Sequence, residues 1–409
     1  MDYELQAAAT RLKTGIAPSN TAVLSDITVG IDYLTGFWEK HYLSEYIPSG
    51  GNRIQFLTGG KGSGKTHLIE YFLSGAKNYK TVSFSARDIW LHDFSEIYFE
   101  VLRQCDLEGC LSRCCEKIVA KLGFSTDEYT GSFMEYLTSI GENDPSTKRE
   151  IRRQISKSFM HNPLIDNNFA IACVLLCGGQ LGHPILEMPA KEALLGWLSG
   201  KKDVKLSTLR ALGLSPVRIA KHNARHMLRS LVEIIKMADY RGLIIAVDEL
   251  DILISRDSLQ DIRYTKLKRQ DSYESMRELI DEIDTLRNVF FLFAFDRSLL
   301  NDEDIGIKSY QALWFRILNE IQSNRFNRFS NMIDLDRLPV YDVETIMELS
   351  SRVASVLNSS GQRPAKPLDE EAVKGLLEKT GYGSSSLPRN IVLATVGCLE
   401  SNEEVDYGF

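Results

Sequence analysis

The chain has 409 residues, of which 55 are acidic and 48 are basic, so its formal net charge is −7. Hydrophobic residues make up 44% and charged residues 25%, proportions that exclude disordered and collagen-like chains. The longest apolar runs, 169–177 and 289–295, are shorter than the ~20 residues of a membrane-spanning helix, and residues 1–13 lack the pattern of a signal peptide. We therefore expect a cytoplasmic protein without a membrane partner.

The first quarter of the chain predicts a strand, a glycine-rich loop and a helix behind a helical lead-in. Residues 1–50 are predicted to be helical with a turn at 16–20. Residues 53–58 alternate as a short strand, 67–76 have a helical pattern, and 81–86 alternate as the next strand.

A long helical segment then interrupts the alternation of strands and helices. From about residue 89 to residue 240 the pattern is almost wholly helical. Its cysteines at 105, 110, 114 and 115 lack the spacing of a zinc site, so we interpret them as small apolar residues on a buried helix.

Strand patterns resume after the insertion. Continuous apolar runs at 242–247 and 288–295 are typical of parallel strands covered on both faces, and 331–338 predicts a last short strand. Helices are predicted at 272–286, at 309–323 and from 343 onward. We expect four segments: a lead-in with the first half of the core (1–88), the insertion (89–240), the second half of the core (241–340) and a helical lid (341–409).

The strongest motif has the form G-x-x-x-x-G-K-T and lies between the first strand and its helix, which is the context that a P-loop requires. Its glycines allow backbone amides to surround phosphate oxygens at a helix N-terminus. The lysine would reach the β and γ phosphates, and the threonine hydroxyl would bind Mg²⁺. The sequence thus predicts an α/β P-loop NTPase that binds ATP, with nucleotide contacts from Gly59, Gly60, Lys61, Gly62, Ser63, Gly64, Lys65, Thr66 and the adjoining His67.

Two acids end the buried strand at 242–247. We expect Asp248 to hold Mg²⁺, and Glu249 to orient and deprotonate the water that attacks the γ phosphate. Because Glu249 is present, an ATP hydrolase is favoured over a nucleotide-binding switch. Asp251 is interpreted as a surface acid or a helix cap.

Further polar residues follow the next strand. Asp296 could contact the attacking water or the γ phosphate, or it could cap the following turn. Arg316, Arg325 and Arg328 are candidates for a guanidinium supplied to a neighbouring subunit, which would require at least a dimer. Arg389 opens a late helix and could fold back onto the nucleotide.

This order of parts resembles AAA+ ATPases of the initiator type, and the resemblance covers nearly the whole chain. More closely, RLKTGIAP, ITVGID, GGKGSGKTHLI, GLIIAVDELDIL and LPRNIV resemble the ATP-binding proteins of bacterial phage-exclusion (BREX) systems. The resemblance implies a role beside helicases, methyltransferases or nucleases in defence against foreign DNA. It also implies that Val29 and Gly30 border the adenine and that Arg389 is the lid sensor.

Two features depart from the AAA+ pattern. A sensor strand in this class more often ends in Asn, Thr or Ser than in Asp296, whose charge would need an offsetting cation. Only residues 390–409 follow Arg389, so we do not expect the DNA-binding winged helix of replication initiators.

Local charge provides candidate DNA contacts in spite of the negative total. Residues 201–229 contain eight basic residues and one acid, and a second basic cluster at 148–157 has helical spacing. A solvated helix face is the alternative for both clusters. Three functions remain open: an ATPase of a DNA-bound defence complex, a nucleotide-gated scaffold with little hydrolysis that recruits a partner helicase or methyltransferase, and a clamp loader or initiator.

Overall fold

The computed structural model describes residues 2–125, 132–256, 262–318, 327–337, 342–360, 366–380 and 387–400. A parallel sheet lies at its centre, with strands β1 (Asn52–Gly59), β2 (Lys80–Ser85), β3 (Leu243–Asp248), β4 (Val289–Asp296) and β5 (Met332–Asp334). The strands are ordered β2-β3-β4-β1-β5. The chain thus has the predicted α/β fold around a parallel sheet.

The central strands are apolar throughout because both faces of the sheet are covered. Successive residues of β4 alternate between two cores: Phe291 and Phe293 pack into one, Phe290 and Leu292 into the other. The predicted strand at 331–338 is shorter than expected, since β5 ends at Asp334 and a 3₁₀ turn follows over Leu335–Arg337.

Four helices and a π-helical segment belong to the N-terminal part of the chain. These are α1 (Asp2–Lys13), α2 (Thr21–Ile27), α3 (Asp32–Trp38), the π-helical segment Glu39–Tyr46 and α4 (Lys65–Gly75). Helix α4 follows β1 directly after the glycine-rich loop, so the predicted strand, loop and helix are all present.

Eight helices lie between β2 and β3 in the described part of the chain. Their buried side chains join the core on one face of the sheet, and the four cysteines at 105, 110, 114 and 115 are buried in it as expected. The helices are α5 (Phe94–Gln104), α6 (Leu107–Lys121), α7 (Phe133–Ser139), α8 (Pro145–Met160), α9 (Asn167–Leu181), α10 (Met188–Leu198), α11 (Leu206–Ala211) and α12 (Ala224–Met237).

The remaining helices follow β3. They are α13 (Lys266–Asp281), α14 (Arg297–Asn301), α15 (Gln311–Ile317), α16 (Val343–Ser359), α17 (Glu370–Thr380) and α18 (Leu387–Glu400). Helix α13 begins six residues before the predicted start because the Thr265 side chain caps it by accepting the Lys268 N–H. Within the described ranges, none of the helices combines the length and apolar character needed to cross a membrane.

The two ends of the chain share a third hydrophobic core. Ala9 and Leu12 of α1 and Ile27 of α2 pack with Val353 of α16 and Ile391 of α18. The first helices therefore lie against the C-terminal helices, although the sequence places them at the opposite end of the chain. The division into four segments remains a prediction.

Candidate nucleotide-binding site

A cavity of about 460 Å³ opens at the carboxyl edge of the sheet. Its floor is the loop at 61–66, and the ends of β3 and β4 form one side. Residues 15–18 and helix α18 close the other side. Parallel α/β sheets bind ligands at this edge, where loops follow the strands.

The glycine-rich loop has the backbone that its sequence predicts. Gly62 and Gly64 have φ angles of +85° and +91°, a region that side chains other than glycine rarely enter. Helix α4 begins at Lys65, so the loop leads its amides to a helix N-terminus. A phosphate group would be stabilised there by the amides and by the helix dipole.

Lys65 lies within this loop. Its ammonium donates hydrogen bonds to the carbonyl oxygens of Gly59 at 2.9 Å and Gly60 at 2.8 Å. Burial lowers the pKa of Lys65, and the nearby carboxylates, Asp296 first, oppose that shift. The Lys65 ammonium is therefore held against the glycine-rich loop, which we call the phosphate cradle.

Thr66 and Asp248 meet across the cavity. The Thr66 hydroxyl donates to Asp248 Oδ2 at 2.6 Å, and the Glu249 N–H donates to Asp248 Oδ1 at 2.7 Å. Burial raises the pKa of Asp248. A hydroxyl and a carboxylate are the oxygen ligands that Mg²⁺ uses beside substrate phosphates and water, so the pair fits this cation. Among the described residues, no group of three or more His, Cys, Asp or Glu side chains is arranged to hold a metal.

Glu249 lines the same cavity but is already engaged. The backbone of Glu249 has a φ of +59°. Ser85 Oγ donates a hydrogen bond to Glu249 Oε2 at 2.5 Å, and Arg87 Nε donates to Glu249 Oε1 at 2.9 Å. The Glu249 side chain is 45% exposed. The carboxylate can therefore meet water, but two partners from the end of β2 hold it.

Asp251 differs from what the sequence suggested, whereas Asp296 makes the cap that was named as one of its two alternatives. Asp251 is a cavity-lining residue, and its Oδ1 accepts the Asp296 N–H at 3.2 Å, which joins the ends of β3 and β4. The interpretation of Asp251 as a surface acid or helix cap was therefore wrong. Asp296 also lines the cavity, but its Oδ1 accepts the Ser298 N–H at 2.9 Å and so caps α14.

The predicted arginines occupy different places. Arg389 lines the cavity, and its guanidinium donates to the Thr14 carbonyl at 3.4 Å. Arg316 is held by Asp281 of its own chain, with 2.9 Å between Nη2 and Oδ2. Arg328 lies over the Phe37 ring at 4.8 Å. In the described part of the chain, neither of these last two lines the cavity. Arg325 lies outside the described residues.

The far end of the cavity is apolar. Val29 lines it, whereas Gly30, between the lining residues Val29 and Ile31, is not among the described lining residues; that these two residues border the adenine remains a prediction. The two chain ends supply most of the apolar wall. The sequence analysis did not predict this wall, and it used RLKTGIAP only as part of a family resemblance. The apolar lining includes Leu12, Ile16, Ala17, Pro18, Ile27, Leu349 and Val392.

His67 joins the two ends of the cavity. Because the Thr28 hydroxyl already donates to the Leu24 carbonyl at 2.6 Å, His67 Nε2 must donate to Thr28 Oγ1, which lies 2.8 Å away. Burial lowers the pKa of His67 to about 4, so the ring is neutral at physiological pH.

The basic clusters are only partly free. In 201–229, Arg225 pairs with Glu278 and Glu282, and Arg229 donates to the Leu164 carbonyl. In 148–157, which lies on α8, Arg153 pairs with Glu150 and Arg152 Nε donates to His183 at 2.7 Å. Exposed cations that have no ion pair among the described residues include Arg149, Lys157, Lys201, Lys202, Lys205 and Arg210.

No curated protein and no solved structure matched this chain in the comparisons. A family model described as "BREX system ATP-binding protein BrxC/D" matches residues 4–406. The P-loop, the acids at the end of β3 and the cavity that joins them all lie inside the matched range. The chain therefore belongs to the family of BREX system ATP-binding proteins, which act in phage defence.

Proposed function

We propose that the protein is a Mg²⁺-dependent ATPase of the AAA+ type that acts in a BREX defence complex on or near DNA. The observation that carries this proposal is the meeting of four groups in one cavity: Lys65, Thr66, Asp248 and Glu249. The family accounts for ATP as the ligand.

The shape of the cavity supports a bound adenine nucleotide. The loop at 61–66 offers amides and an ammonium to the phosphates, and the apolar wall at Ile16, Val29 and Val392 offers a surface for the base. Hydrocarbon lining at one end and cationic lining at the other matches the two ends of ATP.

Mg²⁺ fits the pair Thr66 and Asp248, whose oxygens are 2.6 Å apart. When bound, the cation would neutralise charge on the phosphate oxygens. Phosphate binding and proton transfer would fall to side chains of the protein. Lys65 would exchange its two carbonyl partners for phosphate oxygens, and Glu249 would take the proton from the attacking water.

Glu249 is restrained in this structure by Ser85 and Arg87. A general base must be free to turn toward the water, so we infer that hydrolysis requires Arg87 to release the carboxylate. Asp296 is a weaker candidate than Lys65 for contact with the γ phosphate, because one of the Asp296 carboxylate oxygens caps α14.

The C-terminal helices are proposed as the nucleotide lid. Arg389 reaches the cavity from α18 and contacts the N-terminal segment at Thr14, so a nucleotide between them would touch both chain ends. Arg316, Arg325 and Arg328 remain candidates for action in a neighbouring subunit, which implies a homo-oligomer. Arg316 would first have to leave Asp281.

A cytoplasmic location and partners such as a helicase, methyltransferase or nuclease follow from the proposed BREX role. Direct DNA contact is proposed through the exposed cations of 148–157 and 201–229. Since Arg225 and Arg229 are bound within the chain, we assign the contact of the 201–229 cluster to Lys201, Lys202, Lys205 and Arg210.

One observation favours a second candidate, a nucleotide-gated scaffold with little hydrolysis. The same bonds that restrain Glu249 would keep turnover slow until a partner released them. The two candidates predict different behaviour of a variant that keeps the size of Glu249 and removes its charge.

The test is steady-state ATP turnover of the parent protein and of Glu249→Gln, with and without DNA. An ATPase should lose about 100-fold or more in kcat on this substitution and still bind ATP, since the variant removes only the proton acceptor. Equal, slow turnover of both proteins under every condition would leave the scaffold as the function.

A further inference from the structure

A buried carboxylate lies directly beneath the P-loop. Asp336 follows β5 in the turn Leu335–Arg337, and its side chain is only 3% exposed. Its Oδ2 accepts the backbone N–H of Gly60 at 2.9 Å, and Gly60 is the second residue of the motif. The contact joins two segments that are 276 residues apart.

Arg297 completes this arrangement. Its Nη2 lies 2.9 Å from Asp336 Oδ2 and between 2.6 and 2.7 Å from the two oxygens of Asp334. Arg297 directly follows Asp296, the last residue of β4. The ends of β4 and β5 and the start of the P-loop are therefore tied together through one guanidinium and two carboxylates.

The second oxygen of Asp336 is unusual. Asp336 Oδ1 is buried and has no hydrogen-bond partner among the described residues. Burial raises the pKa of Asp336, while the Gly60 N–H and Arg297 oppose that shift. A buried carboxylate with one unpaired oxygen costs free energy.

The position of this carboxylate also opposes anion binding. It is close enough to Lys65 to interact electrostatically with the ammonium that would hold the phosphates. A negative charge beneath a phosphate cradle weakens the attraction of that cradle for ATP. The hydrogen bond to Gly60, in contrast, holds the bend of the loop in the form that receives phosphate.

We propose that Asp336 is a positioning residue for the P-loop, which fixes Gly60 through its hydrogen bond while its charge moderates nucleotide affinity. This inference rests on the proposed function, because it concerns the same nucleotide site. The hydrogen bond and the charge act in opposite directions on ATP affinity, so two substitutions separate them.

Asp336→Ala removes both the acceptor and the charge. The Gly60 N–H is then left without its partner and the loop loses its tether, so we expect ATP to bind about tenfold more weakly. Asp336→Asn keeps an oxygen acceptor and removes the charge. We expect it to bind ATP as tightly as the parent protein, or up to about threefold more tightly.

The matched control is Asp334→Asn. It makes the same change of charge at the other carboxylate that holds Arg297, but among the described contacts Asp334 does not touch the P-loop. Its effect on ATP affinity should stay within about twofold. Thermal unfolding of all variants without nucleotide shows whether each one is folded.

The measurements are calorimetric binding of a slowly hydrolysed ATP analogue, followed by KM and kcat for ATP. A loss in affinity and a raised KM in Asp336→Ala, with kcat within about twofold and rescue by Asp336→Asn, would establish the positioning role. Equal losses in the Ala and Asn variants, or unchanged binding in Asp336→Ala, would overturn it. Lys65→Ala, measured in parallel, separates the two levels: if it binds the analogue normally, the nucleotide site itself is wrong.

Discussion

The two ends of the cavity are built in different ways. The phosphate end comes from one contiguous stretch, 61–66, together with the last residues of β3 and β4. The apolar end comes from Leu12, from residues 15–18, from Val29 and from α16 and α18, so that both ends of the chain contribute. The phosphate end is encoded locally, whereas the apolar end depends on the packing of α1 against α16 and α18.

This difference has a consequence for coupling. A nucleotide at the phosphate end alone would touch the sheet and α4. A nucleotide that also fills the apolar end would touch helices that share a separate hydrophobic core. Binding energy from the base would therefore act on the chain ends, and binding energy from the phosphates would act on the sheet.

The largest effect is expected from Lys65→Ala. It removes the half-buried ammonium that donates to the carbonyl oxygens of Gly59 and Gly60, and charge-assisted hydrogen bonds to phosphate are among the strongest in proteins. We expect ATP to bind about 100-fold more weakly, with adenosine affinity unchanged because adenosine carries no phosphate. Calorimetric titration with both ligands measures this. Normal ATP affinity in this variant would contradict the phosphate end as described.

A smaller effect is expected from Arg87→Ala, which tests the restraint on Glu249. The pair is partly exposed, with side-chain exposures of 34% for Arg87 and 45% for Glu249, so its strength is about 1 kcal/mol or less. Basal ATP turnover should rise about two- to fivefold while the KM for ATP stays the same. A fall in kcat would show instead that Arg87 acts on the nucleotide.

The sequence predicted the phosphate end of the cavity better than the apolar end. The P-loop, Thr66 and Asp248 were predictable because the motif is contiguous and β3 is an unbroken apolar run that ends in acids. The two central strands were predicted to within about one residue for the same reason. Both signals are local: each depends on residues that are neighbours in the sequence and does not require knowledge of tertiary contacts.

The contacts that sequence reasoning missed are all tertiary. Asp336 was placed within a strand at 331–338, but β5 ends at Asp334 and the turn brings Asp336 beneath Gly60. Asp251 was interpreted as a surface acid or a helix cap because nothing in its sequence neighbourhood shows that it bridges to β4. The packing of residues 15–18 near α18 has no spacing that reveals it.

One glycine shows how closely the chain ends approach each other. Gly15 has a φ of +66°, and a Cβ at this position would lie 2.9 Å from Arg389 Nε. A larger residue would strain the backbone and displace the arginine. The glycine of RLKTGIAP is thus explained by a contact with a residue near the other end of the sequence.

The smallest effect is expected from Val392→Ala at the apolar end. The substitution removes two methyl groups from the wall of the cavity, and part of that surface faces the base. Affinities for ATP, ADP and adenosine should all fall by about threefold, because the three ligands share the base. Lys65→Ala is the contrasting control, since its effect should grow with the number of phosphates. If Val392→Ala weakened ATP but spared adenosine, the base would not lie against α18, and the two ends of the cavity would have to be assigned again.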